Sequence, residues 1–351
     1  MNSPVKTAIL GYGRSGSSLH ADPIEALEEF EMTAVCDIDK EALEKAGKRF
    51  NCALYEDYFE MLKKEELDLV VIVTRSDQHC QMVCDCLKAG VNVLITKPWG
   101  LNEKEALKMI DATEKSGKLL LPWLPARWGC DFIRLKELIA SGVIGKVFQI
   151  RRREYDFSIR EDWQTRKEFG GGYLLNWGPH LIDPPVLLAG GKVKSVFGRL
   201  KQVVNPGDVE DVFFAVLTMD DGTLIVSEHN VASPNYPNWI VQGDKGTILV
   251  KETEIEIHKM SFPDKLDAES YGNKPVCEIM EDKIEEGHRV TNGNRYGDAK
   301  AIYPEIAMAV KGEAEYPVSL KSSLDLTRIL DAVRASSEED KIVQFKTGDA
   351  K

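Results

Sequence analysis

No stretch of the 351-residue chain approaches the ~20 consecutive apolar residues of a membrane-spanning helix, so no bilayer partner is expected. A basic excess is missing as well. Lys and Arg total 45 against 57 Asp and Glu, a formal net charge of −12. That balance argues against nucleic acid or an anionic membrane as a bulk partner. The seven cysteines are odd in number and scattered, a pattern that predicts free thiols in a reducing cytoplasm rather than a disulfide framework. Cys80, Cys84 and Cys86 cluster on one predicted helix, but no His stands at zinc-finger spacing, and no metal site is expected. Met1 to Thr7 runs straight into an apolar strand without a charged leader or cleavage site, which again predicts a cytoplasmic protein. Internal repeats and low-complexity tracts are also lacking. What remains is 43% hydrophobic and 29% charged, an ordinary globular composition, long enough for two cores.

Val5 to Leu10 reads as a buried strand running into Gly11-Tyr12-Gly13-Arg14-Ser15-Gly16, a G-x-G-x-x-G turn. In such a turn the first glycine permits the tight bend, the second lets a pyrophosphate approach the backbone, and the third lets the next helix pack close. Helix-start amides suit an anion. A second strand, Met32 to Cys36, ends at Asp37, 21 residues beyond Gly16. An acidic residue about 20 residues on binds a ribose 2′-hydroxyl and repels a 2′-phosphate. Ile38 follows where an Arg or Lys would welcome that phosphate, so the spacing favours NAD over NADP. The alternative is an ordinary α/β turn followed by a surface aspartate.

Strands and helices then alternate. Helices are expected over 39–50, 58–64, 81–89 and 103–115. Strands are expected over 68–73, 91–95 and 118–121. Asp68 to Val73 is the continuous β-branched run of a parallel strand covered on both faces. Thr74, Arg75 and His79 lie in the loop at its C-terminal end, where ligands bind in such sheets. Thr96-Lys97-Pro98 follows the 91–95 strand. Together these imply a doubly wound parallel sheet over residues 1–122. Pro122 and Pro125 punctuate the change to a second domain, 123–351. That domain opens with an amphipathic helix from Arg127 to Ser141. Serial strands follow over 147–155, 193–204, 212–219, 224–231, 239–241, 247–250 and 254–258, with late helices over 298–311 and 320–336. Their order predicts a largely antiparallel sheet with one exposed or subunit-facing side. Residues 261–296 are polar and are expected to form a long loop.

The most informative stretch is Gly170-Gly171-Gly172-Tyr173-Leu174-Leu175-Asn176-Trp177-Gly178-Pro179-His180-Leu181-Ile182-Asp183. At about 100° per residue, Asn176, His180 and Asp183 share one helical stripe among apolar neighbours. A polar stripe on a buried helix is costly unless each group finds a partner, so these residues are either hydrogen-bonded core or face a pocket. Asp183-Pro184-Pro185 ends or kinks the helix.

The glycine turn, Asp37, Lys97-Pro98 and the G-G-G-x₃-N-x-G-x-H-x₂-D run form a constellation that resembles the glucose-fructose oxidoreductase / inositol dehydrogenase / rhizopine-catabolism family over nearly the whole chain. His20-Ala21-Asp22-Pro23 and Gly142-x-x-Gly145-Lys146 fit the same resemblance. It implies an N-terminal Rossmann domain, then an α+β domain with a large, mostly antiparallel open-faced sheet that builds homo-oligomers. It also implies oxidation of a sugar, glycoside or cyclitol hydroxyl with a nicotinamide cofactor, here NAD. Cofactor contacts would come from Gly11 to Gly16, Asp37, Ile38, Thr74, Arg75, His79, Thr96 and Lys97.

By the same resemblance, Lys97 belongs to a motif usually written Glu-Lys-Pro, His180 is the base, and Asn176 stands where Asp is usual. Thr96 replaces the Glu. Asn176 orients a hydroxyl but takes no proton at pH 7, so the proton passes to His180, with Lys97 assisting. Loss of two nearby carboxylates also implies a lowered Lys97 pKa. Arg127, Trp163 and Arg166 are further substrate-contact candidates, each with a structural alternative. The preferred expectation is a sugar or glycoside dehydrogenase, acting for example at a glucoside C3 hydroxyl. Alternatives are an inositol dehydrogenase, a redox-neutral glycosidase using bound NAD, and a non-catalytic dinucleotide sensor.

Overall fold

A computed structural model describes residues 3–234, 236–260, 277–283 and 294–345. The first half is β1 (Val5–Leu10), α1 (Ala21–Ala26), β2 (Phe30–Cys36), α2 (Lys40–Arg49), β3 (Ala53–Tyr55), α3 (Tyr58–Lys64), β4 (Leu69–Ile72), α4 (His79–Lys88), β5 (Asn92–Thr96), α5 (Glu103–Ser116) and β6 (Leu120–Trp123). The strands form one parallel sheet in the order β3-β2-β1-β4-β5-β6. All four β4 residues are buried, as expected for a strand covered on both faces. Asp39, Asp57 and Asn102 cap α2, α3 and α5 by accepting from first-turn amides. The three-residue edge strand β3 carries too little pattern to be read from sequence. Pro122 does not end the sheet. It pairs with Ile95 inside β6, an edge strand where a missing N–H is tolerated.

The second half is α6 (Cys130–Ala140), β7 (Val147–Tyr155), α7 (Tyr173–Leu181), α8 (Asp183–Ala189), β8 (Val193–Lys201), β9 (Val212–Met219), β10 (Leu224–Asn230), β11 (Trp239–Gly243), β12 (Gly246–Lys251), β13 (Glu254–Met260), β14 (Cys277–Lys283), α9 (Ala299–Val310), α10 (Leu320–Glu339) and β15 (Val343–Gln344). Its sheet runs β14-β13-β12-β11-β7-β10-β9-β8-β15 and is antiparallel except at the β7–β10 pair. Strand β9 alternates strictly: Phe213, Ala215, Leu217 and Met219 are buried, while Phe214, Val216 and Thr218 are half-exposed on the open face.

Two expectations are corrected. The helix read from Arg127 to Ser141 is broken: Pro125–Trp128 is a separate 3-10 turn, and α6 begins only after Gly129. The break places Cys130 N 3.0 Å from the Asn294 carbonyl, to which it donates. The tract expected to be one loop over 261–296 contains β14, a charged edge strand paired with β13; residues 261–276 and 284–293 lie outside the described residues. The glycine-turn helix also starts irregularly, with a π turn over Gly16–His20 ahead of α1.

The two halves interlock. Trp99 Nε1 donates to Thr327 Oγ1 on α10 at 2.7 Å, and Arg328 of α10 pairs with Glu103 at 2.7 Å. On the opposite side, buried His20 meets the Tyr303 hydroxyl of α9 at 2.8 Å. Burial holds the His20 imidazole down at about 3, so it is a neutral core group.

Candidate active site

The glycine turn is built as its spacing predicts. Gly11 has φ +91, and a Cβ there would lie 2.8 Å from the Val73 carbonyl. A Cβ on Gly16 would strike the Gly11 carbonyl, whereas Gly13 has no atom within 4 Å of a Cβ position. Gly16 is thus reserved for packing and Gly13 for an approaching ligand. Helical conformation begins at Arg14, so its first amides point at that open space. Arg14 is exposed and Ser15 half-exposed beside it, while Tyr12 is buried. Asp37 Oδ2 accepts from Tyr12 N at 2.6 Å and Oδ1 from Asp39 N at 2.9 Å, which fixes the carboxylate at the end of β2. Ile38 is 83% exposed next to it, an apolar surface of the kind a purine covers. Open glycine, helix start, carboxylate and exposed isoleucine together fit a dinucleotide.

Strand β5 delivers Lys97 through a cis Lys97–Pro98 peptide. Thr96 is spent on the sheet, its hydroxyl donating to the Ile72 carbonyl at 3.1 Å. Lys97 Nζ crosses to α7 and donates to the Asn176 main-chain oxygen at 2.8 Å and to Asn176 Oδ1. Burial, then the charges of Arg160 and Arg14, push the Lys97 amine down to about 7. One turn along α7 sits His180, buried, with Nδ1 sealed from solvent and unpartnered. Burial first, then Lys97 and Arg152, hold its imidazole well below the ordinary value. Lys97, Asn176 and His180 therefore converge at the junction of the two halves.

Other expected residues are placed differently. Asp183, the first residue of α8, is committed to another partner. It holds Arg127 in a fork: Nε to Oδ2 and Nη2 to Oδ1, both 2.8 Å, with Asp183 buried and Arg127 nearly so. Arg127 Nη1 also donates to Ser322 at 3.1 Å, so this guanidinium is committed to structure. His79 is buried as well, with Nδ1 2.7 Å from the Pro98 carbonyl and Nε2 3.1 Å from the Thr74 carbonyl. Burial lowers its pKa, and a neutral ring donates only once, so the shorter contact to Pro98 is the hydrogen bond. That ring braces the Lys97-Pro98 loop from behind. Arg75 lies 4.0 Å over the Phe169 ring and 3.5 Å from Asp77, joining the β4 loop to the segment before α7. Trp163 and Arg166 are in the 3-10 turns that lead to Gly170.

Several site neighbours carry no sequence signal. Tyr296 comes from the tract read as loop, and its ring sits 5.1 Å from that of His180. Arg152, 1% exposed on β7, pairs with Asp131 at 3.2 Å. His229 lies under α7, its ring 4.8 Å from that of Trp177, and burial holds it at about 3. Glu210 caps α7 from outside, accepting from Leu174 N at 3.0 Å.

Family models match both halves: an oxidoreductase family, NAD-binding Rossmann fold model over residues 5–122, and a GFO/IDH/MocA C-terminal domain model over 132–249. The chain belongs to the GFO/IDH/MocA oxidoreductase family. The bacterial scyllo-inositol 2-dehydrogenase (NADP(+)) IolW of Bacillus subtilis is 24% identical over 97% of this chain and 96% of its own length. D-glucoside 3-dehydrogenase of Escherichia coli is 28% identical over 70% of this chain and 76% of its own. Among solved structures, an NAD-binding protein from Listeria innocua superimposes with TM-score 0.85 at 25% identity, covering 98% of this chain and 97% of that one. This member of the family is thus an oxidoreductase with a dinucleotide-binding Rossmann domain. Thr96 and Asn176 stand at the two positions where the sequence resemblance implies acids.

Proposed function

We propose that this oxidoreductase oxidises a secondary hydroxyl of a sugar or glycoside, using NAD, with the substrate oxygen held between Lys97 and His180. The convergence of those two side chains with Asn176 beside the glycine turn carries the reading. When bound, the nicotinamide accepts the hydride. Every other task falls to the chain. Neutral Lys97 has two N–H groups, which the two Asn176 oxygens take up, leaving its lone pair free for the hydroxyl proton. An amine at about 7 is also matched to proton transfer near neutral pH. The sequence reading gave that proton to His180. Its strong depression instead favours a neutral imidazole that orients the hydroxyl, with Lys97 as acceptor.

Asp37 and the exposed Ile38 support NAD as the cofactor: the carboxylate would repel a 2′-phosphate, and Ile38 rather than an Arg or Lys follows it directly. The half-exposed Phe214, Val216 and Thr218 on the open face support a homo-oligomer built through the second sheet. A cyclitol is the second reading, favoured by the full-length similarity to an inositol dehydrogenase. A panel of glucosides and inositols, followed by nicotinamide absorbance, tests both. Reduction of NAD by a glucoside and not by inositols is expected. Reduction by inositols alone selects the second reading, and no reduction by either class overturns the proposal.

A further inference from the structure

Tyr296 reaches the site from a short strap, 294–297, outside the family's two matched segments. The strap is pinned at several points. Cys130 N donates to the Asn294 carbonyl at 3.0 Å, and Tyr296 N donates to Asn294 Oδ1 at 2.8 Å. A Cβ on Gly129 would strike the Arg295 carbonyl, so this glycine lets the strap lie against the start of α6. The Tyr296 hydroxyl donates to Glu154 Oε1 at 2.8 Å, and Arg295 Nη1 reaches the same oxygen at 2.7 Å. Arg295 Nη2 continues to Glu252 at 3.2 Å. Glu154 on β7 is further held by Asn238 Nδ2, at 3.2 Å to Oε1 and 3.1 Å to Oε2. Both ends of the tyrosine are therefore fixed.

Between those anchors the ring stands edge-on to His180, with centroids 5.1 Å apart and planes at 64°. It also meets Trp177 at 5.9 Å, and Trp177 meets His180 at 5.8 Å. Three rings thus close a triangle. We propose that Tyr296 is a positioning residue for His180: its ring, anchored through Glu154, fixes the plane of the imidazole and keeps water off it. The groups that face this imidazole are Lys97 from the loop after β5, Arg152 from β7, Tyr296 from the strap and Trp177 from its own helix, with His229 behind Trp177.

The sign of the effect follows from burial. Desolvation is the largest cause lowering the His180 pKa, so admitting water by removing the ring raises it. The experiment is an NMR titration of the full chain with labelled histidine, His180 being assigned by the signal lost in His180→Gln. In Tyr296→Ala the His180 midpoint is expected to rise by about one pH unit or more, and in Tyr296→Phe to stay near the parent value. The kinetic arm rests on the proposed function: kcat falls about tenfold or more in Tyr296→Ala while the Kd for NAD holds. A folded Tyr296→Ala with an unmoved His180 midpoint overturns the proposal. If circular dichroism shows that this variant does not fold, Tyr296→Val, a milder truncation that also removes the ring, replaces it, and an unmoved midpoint there has the same force. The titration uses no substrate, so it stands or fails apart from the substrate assignment.

Discussion

The Lys97 amine donates to both oxygens of Asn176, the main-chain carbonyl and the side-chain amide, and so ties the β5 loop to α7 at one atom. An amide in that place offers acceptors without a compensating charge. The lysine is consequently left with burial and two cations acting on it, and its pKa lies at about 7 instead of 10.5.

A pH–rate profile should therefore rise through about 7 as the amine loses its proton, reaching its plateau on the alkaline side. Asn176→Asp supplies a carboxylate that stabilises the ammonium form, so its profile should move to higher pH. Lys97→Met should lower kcat by about 10²–10⁴-fold and leave the Kd for NAD within about threefold. A rise at unchanged pH in Asn176→Asp would remove Lys97 from the proton-accepting role.

The glycine turn makes a contrast between two neighbours. At Gly13 a methyl group meets nothing of the protein, while at Gly16 it meets the Gly11 carbonyl. Gly13→Ala should keep the melting temperature and lose NAD affinity, by about tenfold or more, because only the ligand is displaced. Gly16→Ala should lower the melting temperature itself. Calorimetric binding and thermal unfolding on the same samples separate the two effects.

Cofactor choice should follow Asp37. Its carboxylate is positioned by two main-chain amides, and replacing it removes the repulsion of a 2′-phosphate. Asp37→Ser combined with Ile38→Arg should shift the ratio of kcat/KM for NAD to that for NADP by about 10²-fold or more towards NADP, since a guanidinium pairs with the added phosphate. Initial rates with the two cofactors measure it directly.

The Arg127–Asp183 fork predicts a stability effect. With Asp183 buried and Arg127 nearly so, Asp183→Ala leaves a guanidinium without its carboxylate and should cost about 3–5 kcal/mol. The Arg127→Leu/Asp183→Leu double variant should cost clearly less, because neither charge is then stranded. Urea unfolding of the single and double variants checks this. Equal losses would mean that the pair acts only through packing.

Much of the fold was open to reading because its signals are local. The β-branched run of β4, the aspartates ahead of α2 and α3, and the strict alternation of β9 each act within a few residues. The Lys97–Asn176–His180 group was anticipated for a different reason: Asn176 and His180 share a helical stripe, and the family resemblance added Lys97. Asp183 could not be assigned from helical spacing, because its partner Arg127 lies 56 residues away in the chain. His79 was read as a helix-start or cofactor-edge residue; it does open α4, and its ring nitrogens face two carbonyls supplied by separate loops. Tyr296 and Arg152 gave no signal at all. Their importance comes from partners more than a hundred residues away in one case and from a buried strand face in the other, and neither leaves a period in the sequence.

Helix α10 reaches back across the molecule to hold Trp99, two residues beyond Lys97, and Glu103 at the start of α5. The last third of the chain is thereby a splint for the first. Such a splint removes the free swing that two lobes joined by a single crossover would have. A fragment cut before residue 320 would therefore give up this hold on the Lys97 loop along with the helix.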